Sequence, residues 1–86
     1  MAEKSVEERM KKVVAEIFNK KVTEISRDTD FVADLHAKSI DIVELIAGVE
    51  EEFKIPVVQG QVMRNRTVGE AIDWMDKKLK EMKVKT

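Results

Sequence analysis

The sequence predicts an all-α fold, a small antiparallel bundle of three main helices plus a short helical turn, with a long loop between the first and second helices. Three observations carry this expectation. Apolar residues recur at helical spacing in three separate stretches, and two of those stretches open with a capping-box signature. The 86 residues are 43% hydrophobic and 38% charged, with only three glycines and one proline, a balance that suits packed amphipathic helices.

Ser5 with Glu8 three residues later marks the first start. Val6, Met10, Val13, Val14, Ile17 and Phe18 then fall on one face, so a helix is predicted from about Ser5 to Asn19. In the connection from Lys20 to Lys38, the apolar Val22, Ile25, Phe31, Val32 and Leu35 are expected to pin the loop. Ser26, Asp28, Thr29 and Asp30 are its turn-formers.

Ser39 is expected to cap the second helix, on which Ile42, Leu45, Ile46, Val49 and Phe53 form a narrow core-facing stripe at about 100° per residue. The same wheel groups Ile40, Glu44, Ala47 and Glu51 on the opposite side, flanked by Asp41 and Gly48: an acidic face with an apolar centre. Pro56 ends this region, and residues 57–66 read as irregular with one short helical turn around Gln61 to Met63. Thr67 and Glu70 open the last helix, which carries Val68, Ala71, Ile72, Met75, Leu79 and Met82 on one face and runs to about Met82.

The length fits one domain over residues 1–86, with an ordered core over about residues 5–82 and a basic tail over residues 83–86. The formal charge of −1 exerts no global pull toward nucleic acid or membrane, but the signs are segregated. Ser39 to Phe53 carries Asp41, Glu44, Glu50, Glu51 and Glu52 with no basic residue, while Lys77, Lys78, Lys80, Lys83 and Lys85 crowd the last stretch. With no cysteine there is no disulfide, and any thioester requires a borrowed thiol. No apolar leader or bilayer-spanning segment is legible, so a cytoplasmic protein is expected, and it is expected to be a monomer.

Enzyme chemistry finds little support. The single histidine, His36, lies three residues before Ser39, but a serine at a helix start turns its oxygen toward the helix N–H groups rather than toward a base. His36 reads as a solvated loop residue. Zinc ligands and phosphate-cradling glycine loops are missing, and Asp28, Asp30 and Asp34 read as turn and cap formers rather than cation ligands. Arg64, Arg66 and the terminal lysines lack interleaved aromatics, so no nucleic-acid partner is expected. Trp74 reads as a partly buried packing residue. What stands out is a serine at a helix start, where a phosphodiester would meet free N–H groups and the positive end of the helix dipole. Composition and periodicity alone favour a plain cap at Ser39.

The segment Leu35-His36-Ala37-Lys38-Ser39-Ile40-Asp41-Ile42-Val43-Glu44-Leu45, followed by Glu50-Glu51-Glu52-Phe53, resembles the acyl carrier protein family. In that family a Leu-Gly-Ala-Asp-Ser-Leu-Asp pattern opens the second helix. Asp30-Phe31 and the stretch Thr67-Val68-Gly69-Glu70-Ala71-Ile72-Asp73-Trp74-Met75 extend the likeness, which runs from Val6 to about Leu79. The resemblance implies a non-catalytic phosphoprotein, a four-helix bundle that carries 4'-phosphopantetheine covalently on Ser39. It would hold acyl groups as thioesters in fatty-acid or specialised lipid biosynthesis. Ile40, Asp41, Glu44, Ala47, Glu50 and Glu51 would form the face met by its partners, a phosphopantetheinyl transferase and the acyl-transfer and lipid-biosynthetic enzymes. Ile42, Ile46, Phe53, Val58, Met63 and Ile72 would line an acyl chain folded back between the helices.

Three departures separate this chain from the pattern. Lys38 replaces the acid before the serine, inverting the charge at a position the transferase contacts in the family. His36 replaces the glycine. The segment from Lys54 to Arg66 is less acidic than usual. That less acidic segment and the net charge of −1 imply a specialised member with its own partner set. The competing expectation keeps the fold but makes the chain an unmodified protein-interaction domain, and Lys38 is the residue that favours it.

Overall fold

The computed structural model describes residues 5–57, 60 and 64–84, and side chains as far as residue 81. Among the described residues there are three α-helices and a 3₁₀ turn: α1 (Val6–Phe18), the turn (Val22–Glu24), α2 (Ser39–Phe53) and α3 (Val68–Val84). The short turn expected at Gln61 to Met63 lies outside the described residues, as do Val58 among the lining candidates and the side chains of Met82, Lys83 and Lys85.

The first helix starts as its sequence dictates. Glu8 N–H donates to Ser5 Oγ at 3.1 Å, and Ser5 N–H donates to Glu8 Oε1 at 3.2 Å, so two orphan donors are satisfied reciprocally. It stops at Asn19, which adopts the left-handed conformation (φ 57°) that asparagine tolerates better than most residues. Helix α1 runs antiparallel to α2: Arg9 near its start pairs with Glu52 near the end of α2 at 2.9 Å, and the Arg9 guanidinium lies 4.4 Å from the Phe53 ring centre. Where the two helices cross, a Cβ on Gly48 would stand 3.1 Å from Val13 Cγ1. Gly48 therefore belongs to the α1–α2 contact rather than to the outward face expected of it, its missing side chain allowing the close approach.

The core collects Met10, Val13 and Val14 from α1, Leu45, Val49 and Phe53 from α2, and Val68, Ala71, Ile72 and Met75 from α3. Ile42 and Ile46, expected in the core stripe of α2, are only half-buried. The long loop is pinned by fewer residues than its apolar content suggests. Ile25 and Phe31 are buried and Leu35 is half-buried, whereas Val22 and Val32 are exposed, Val32 by 68%. Backbone pairing replaces the missing anchors. Phe31 N–H donates to Arg66 O and Val68 N–H to Thr29 O, around an isolated antiparallel bridge between Asp30 and Thr67. Gly69 N–H also donates to Arg27 O at 2.8 Å, and a Cβ on Gly69 would lie 2.9 Å from that oxygen, so only glycine lets the loop lie this close to α3.

Asp30 and Asp34 are the turn-formers expected of them. Asp30 Oδ1 accepts the N–H groups of Val32 and Ala33 at 2.9 and 2.8 Å, and Asp34 Oδ2 accepts the Asp30 N–H at 2.7 Å. The Ala33 N–H, then that of Val32 and the nearby Arg66 charge, hold the Asp30 carboxyl below the usual carboxylate range. The start of α3 uses a modified cap: Thr67 Oγ1 accepts the Glu70 N–H at 3.2 Å, but the Glu70 carboxylate reaches back to the Arg66 N–H at 2.7 Å rather than to that of Thr67.

Candidate functional site

Ser39 is the first residue of α2, not its cap. The capping position belongs to Lys38, whose extended backbone (φ −108°, ψ 171°) is right for a cap but whose side chain has no acceptor for the helix N–H groups. The helix is instead secured from inside, by Asp41 Oδ2 accepting the Lys38 N–H at 2.9 Å. The expectation that the Ser39 oxygen would cap the helix is thus corrected. Its hydroxyl stays outside the capping arrangement, on an exposed residue at the positive end of a 15-residue helix. A phosphodiester fits there, because the first N–H groups of α2 are unpaired within the helix and the dipole favours an anion.

The approach to Ser39 is strained. His36, two residues before Lys38, is exposed and held at φ 54°. This is the left-handed region, which costs a side-chain-bearing residue about 1–2 kcal/mol relative to glycine. That geometry supplies the reason for a glycine in the family pattern, which bulk alone did not reveal.

Beyond Ser39, the outward face of α2 carries Ile40 and Val43, 67% and 55% exposed, with Glu44, Ala47 and Glu51 also exposed. Val43 escaped the sequence reading, although its spacing from Ile40 and Ala47, one turn in each direction, places it on their stripe. Two acids have internal duties. Asp41 caps the helix, and the half-buried Glu50 accepts the Val57 N–H at 2.8 Å through Oε2, tying the chain after α2 to the helix. Glu44, Ala47 and Glu51 also border an open groove of about 710 Å³ between α1 and α2, which Glu16 and Ile17 of α1 close on the other side. The acidic surface therefore extends onto α1, which only tertiary packing reveals.

A second, smaller space lies beneath α2. It is a cavity of about 20 Å³ lined by residues that include Phe31, Leu45, Ile46, Asn65, Ala71 and Trp74. Of the described residues expected to line an acyl site, Ile46 borders it. Ile42, Phe53 and Ile72 do not, and Met63 lies outside the described residues.

Arg66 faces Asp30 at 3.8 Å across the loop bridge. The Trp74 ring is half-buried, with the Lys78 ammonium 5.8 Å from its centre. No described helix is long and apolar enough to cross a membrane.

Comparison with known proteins agrees with this geometry. Residues 8–75 match the family described as phosphopantetheine attachment site. The acyl carrier protein of Buchnera aphidicola subsp. Schizaphis graminum is 40% identical over 77 residues, covering 90% of this chain and 98% of that protein. The acyl carrier proteins of two strains of Buchnera aphidicola subsp. Acyrthosiphon pisum are 41% identical over 75 residues, covering 87% of this chain and 94% of theirs. A helix-start serine outside the capping hydrogen bond, an acidic second helix and this likeness along nearly the whole chain lead to one assignment: the chain belongs to the acyl carrier protein family.

Proposed function

We propose that this chain carries acyl groups on a 4'-phosphopantetheine arm attached through the Ser39 hydroxyl and presents them to enzymes that dock on α2. The observation that carries the reading is the placement of Ser39: exposed, first in its helix, and outside the hydrogen bond that runs from the Lys38 N–H to Asp41. When bound, the group supplies the thiol this cysteine-free chain lacks, and that thiol holds the acyl group as a thioester.

The chain's own residues position and recruit. The start of α2 stabilises the phosphodiester through N–H groups and the helix dipole. Glu44 and Glu51 attract basic partner surfaces over a distance set by ionic strength, while Ile40, Val43 and Ala47 supply the apolar contact once docked. Asp41 and Glu50 contribute charge to the same face while serving the fold. Such a surface gives fast, weak, salt-sensitive association, which suits a carrier that must leave as readily as it arrives. Lipid biosynthesis, and fatty-acid synthesis first, is the pathway class that fits the acyl carrier proteins it resembles.

The test is an acyl group on the protein purified from cells. The carrier reading expects a hydroxylamine-labile acyl species on the wild type and none on Ser39→Ala. Lys38, an exposed cation beside Ser39, favours a second reading in which the unmodified domain only binds a partner. In that case Ser39→Ala binds and functions as the wild type does.

A further inference from the structure

The groove of about 710 Å³ between α1 and α2 joins carboxylates to apolar surface. Glu16, Glu44 and Glu51 stand exposed around it, and among the described residues none of the three makes an ion pair. Glu52 also borders it but is answered by Arg9, and Lys54 is the cation at its edge. Val13, Ile17, Ala47 and Gly48 supply the apolar part of its wall. Such a surface takes a helix that brings cations to the rim and hydrocarbon to the wall.

The chain carries such an element itself. Lys77, Lys78, Lys80, Lys83 and Lys85 outnumber Asp76 and Glu81 at the end of the sequence. Lys77 and Lys80 are exposed on α3, and Lys80 pairs with Asp76 at 3.1 Å, a surface contact of little energetic worth. Helix α3 begins at the Asp30–Thr67 bridge, where the loop places Phe31 6.4 Å from Phe18 at the end of α1. From there its 17 residues, roughly 25 Å long, run toward the start of α1, since Arg27 reaches both Asp73 of α3 and Glu7 of α1. The lysine-rich end therefore lies remote from Ser39, and no described residue of α3 borders the groove. A copy's own α3 does not fill its groove, whereas that of a second copy can reach it.

We infer that the lysine-rich end of α3 seats in the α1–α2 groove of a second copy, so that the chain associates with itself at high concentration and low salt. The ammonium groups meet Glu16, Glu44 and Glu51, and the lysine stems lie along Ile17 and Ala47. A formal charge of −1 leaves the copies little net repulsion to overcome. Each exposed ion pair contributes little, so the association is weak and dilute protein stays monomeric. Because Glu44, Ala47 and Glu51 also belong to the face proposed for enzymes, a seated copy withholds part of that face. The inference does not rest on the carrier reading, since Ser39 takes no part in the contact.

Sedimentation equilibrium of the unmodified chain, from micromolar to millimolar concentration, tests it at about 0.01 M and about 1 M salt, where charges are felt over about 30 Å and about 3 Å. The average mass is expected to rise with concentration at low salt and to stay that of one chain at high salt. Two charge-reversed variants assign the surfaces: Glu16→Lys with Glu51→Lys in the groove, and Lys77→Glu with Lys80→Glu on α3. All four positions are exposed, and circular dichroism confirms that each variant is folded. Each variant alone is expected to associate roughly tenfold more weakly than the wild type. An equimolar mixture of the two is expected to regain association, because each then offers the charge the other lacks. The mass of one chain at every concentration in low salt would overturn the inference and leave the groove to a basic partner. Association that neither reversal weakens would overturn it as well.

Discussion

Asp41 accepts the backbone N–H of Lys38 at 2.9 Å, so the helix that presents Ser39 is capped by a carboxylate within its own first turn. Under the proposed carrier reading Asp41 has two roles, in the cap and in docking, that one substitution cannot separate. Asp41→Ala is expected to lower stability by about 1 kcal/mol, the usual cost of losing a cap, as well as to weaken partner docking. Asp41→Asn keeps an acceptor and removes the charge. It should unfold close to the wild type in urea while losing docking affinity at low salt, and the difference between the two variants isolates the capping contribution.

Lys38 leaves the cap half-built. An acid there would accept a helix N–H, and it would replace a cation at the positive end of the dipole by an anion. Lys38→Asp is expected to raise stability by about 1–2 kcal/mol, which for a domain of this size corresponds to a melting-temperature increase of several degrees. It should also speed modification by a broad-specificity phosphopantetheinyl transferase. A variant that is stabilised but modified no faster would show that Lys38 affects the helix and not the docking of the transferase.

His36 at φ 54° carries a conformational cost that glycine does not. His36→Gly is expected to stabilise the fold by roughly 0.5–1 kcal/mol, the larger unfolded-state entropy of glycine offsetting part of the relief. Thermal unfolding by circular dichroism measures it. A loss of stability would mean that the imidazole makes a compensating contact.

The loop turn at Asp30 makes part of the stability pH-dependent. Its folded-state pKa is depressed, first by the Ala33 N–H and then by that of Val32. The contribution is therefore complete above the ordinary carboxylate range of about 4 and is lost as pH falls through the lower folded value. Urea titrations of wild type and Asp30→Ala should show a stability gap at pH 7 that narrows at about pH 3. A gap that stays constant would remove Asp30 ionisation from the account.

Much of this was legible in the sequence because the signals were local. Ser5 and Glu8, or the periodicity from Ile42 to Phe53, act within one or two turns, and the helices follow them closely. The errors arose where two local solutions compete or where tertiary contacts decide. Ser39 looked like a cap because serine is a good one, but the helix already begins at Ser39, which leaves the capping position to Lys38. Val22 and Val32 looked like anchors, yet Ile25, Phe31 and the bridge to Thr67 hold the loop without them. Gly48 looked outward on an ideal wheel, and the close passage of Val13 turned it into a packing position.

The central claim is that the Ser39 hydroxyl is an attachment point, and intact mass spectrometry tests it most directly. Wild type and Ser39→Ala would be incubated with coenzyme A and a broad-specificity phosphopantetheinyl transferase. A gain of one phosphopantetheine group is expected on the wild type and none on the variant. No gain on the wild type, or an equal gain on Ser39→Ala, would contradict it.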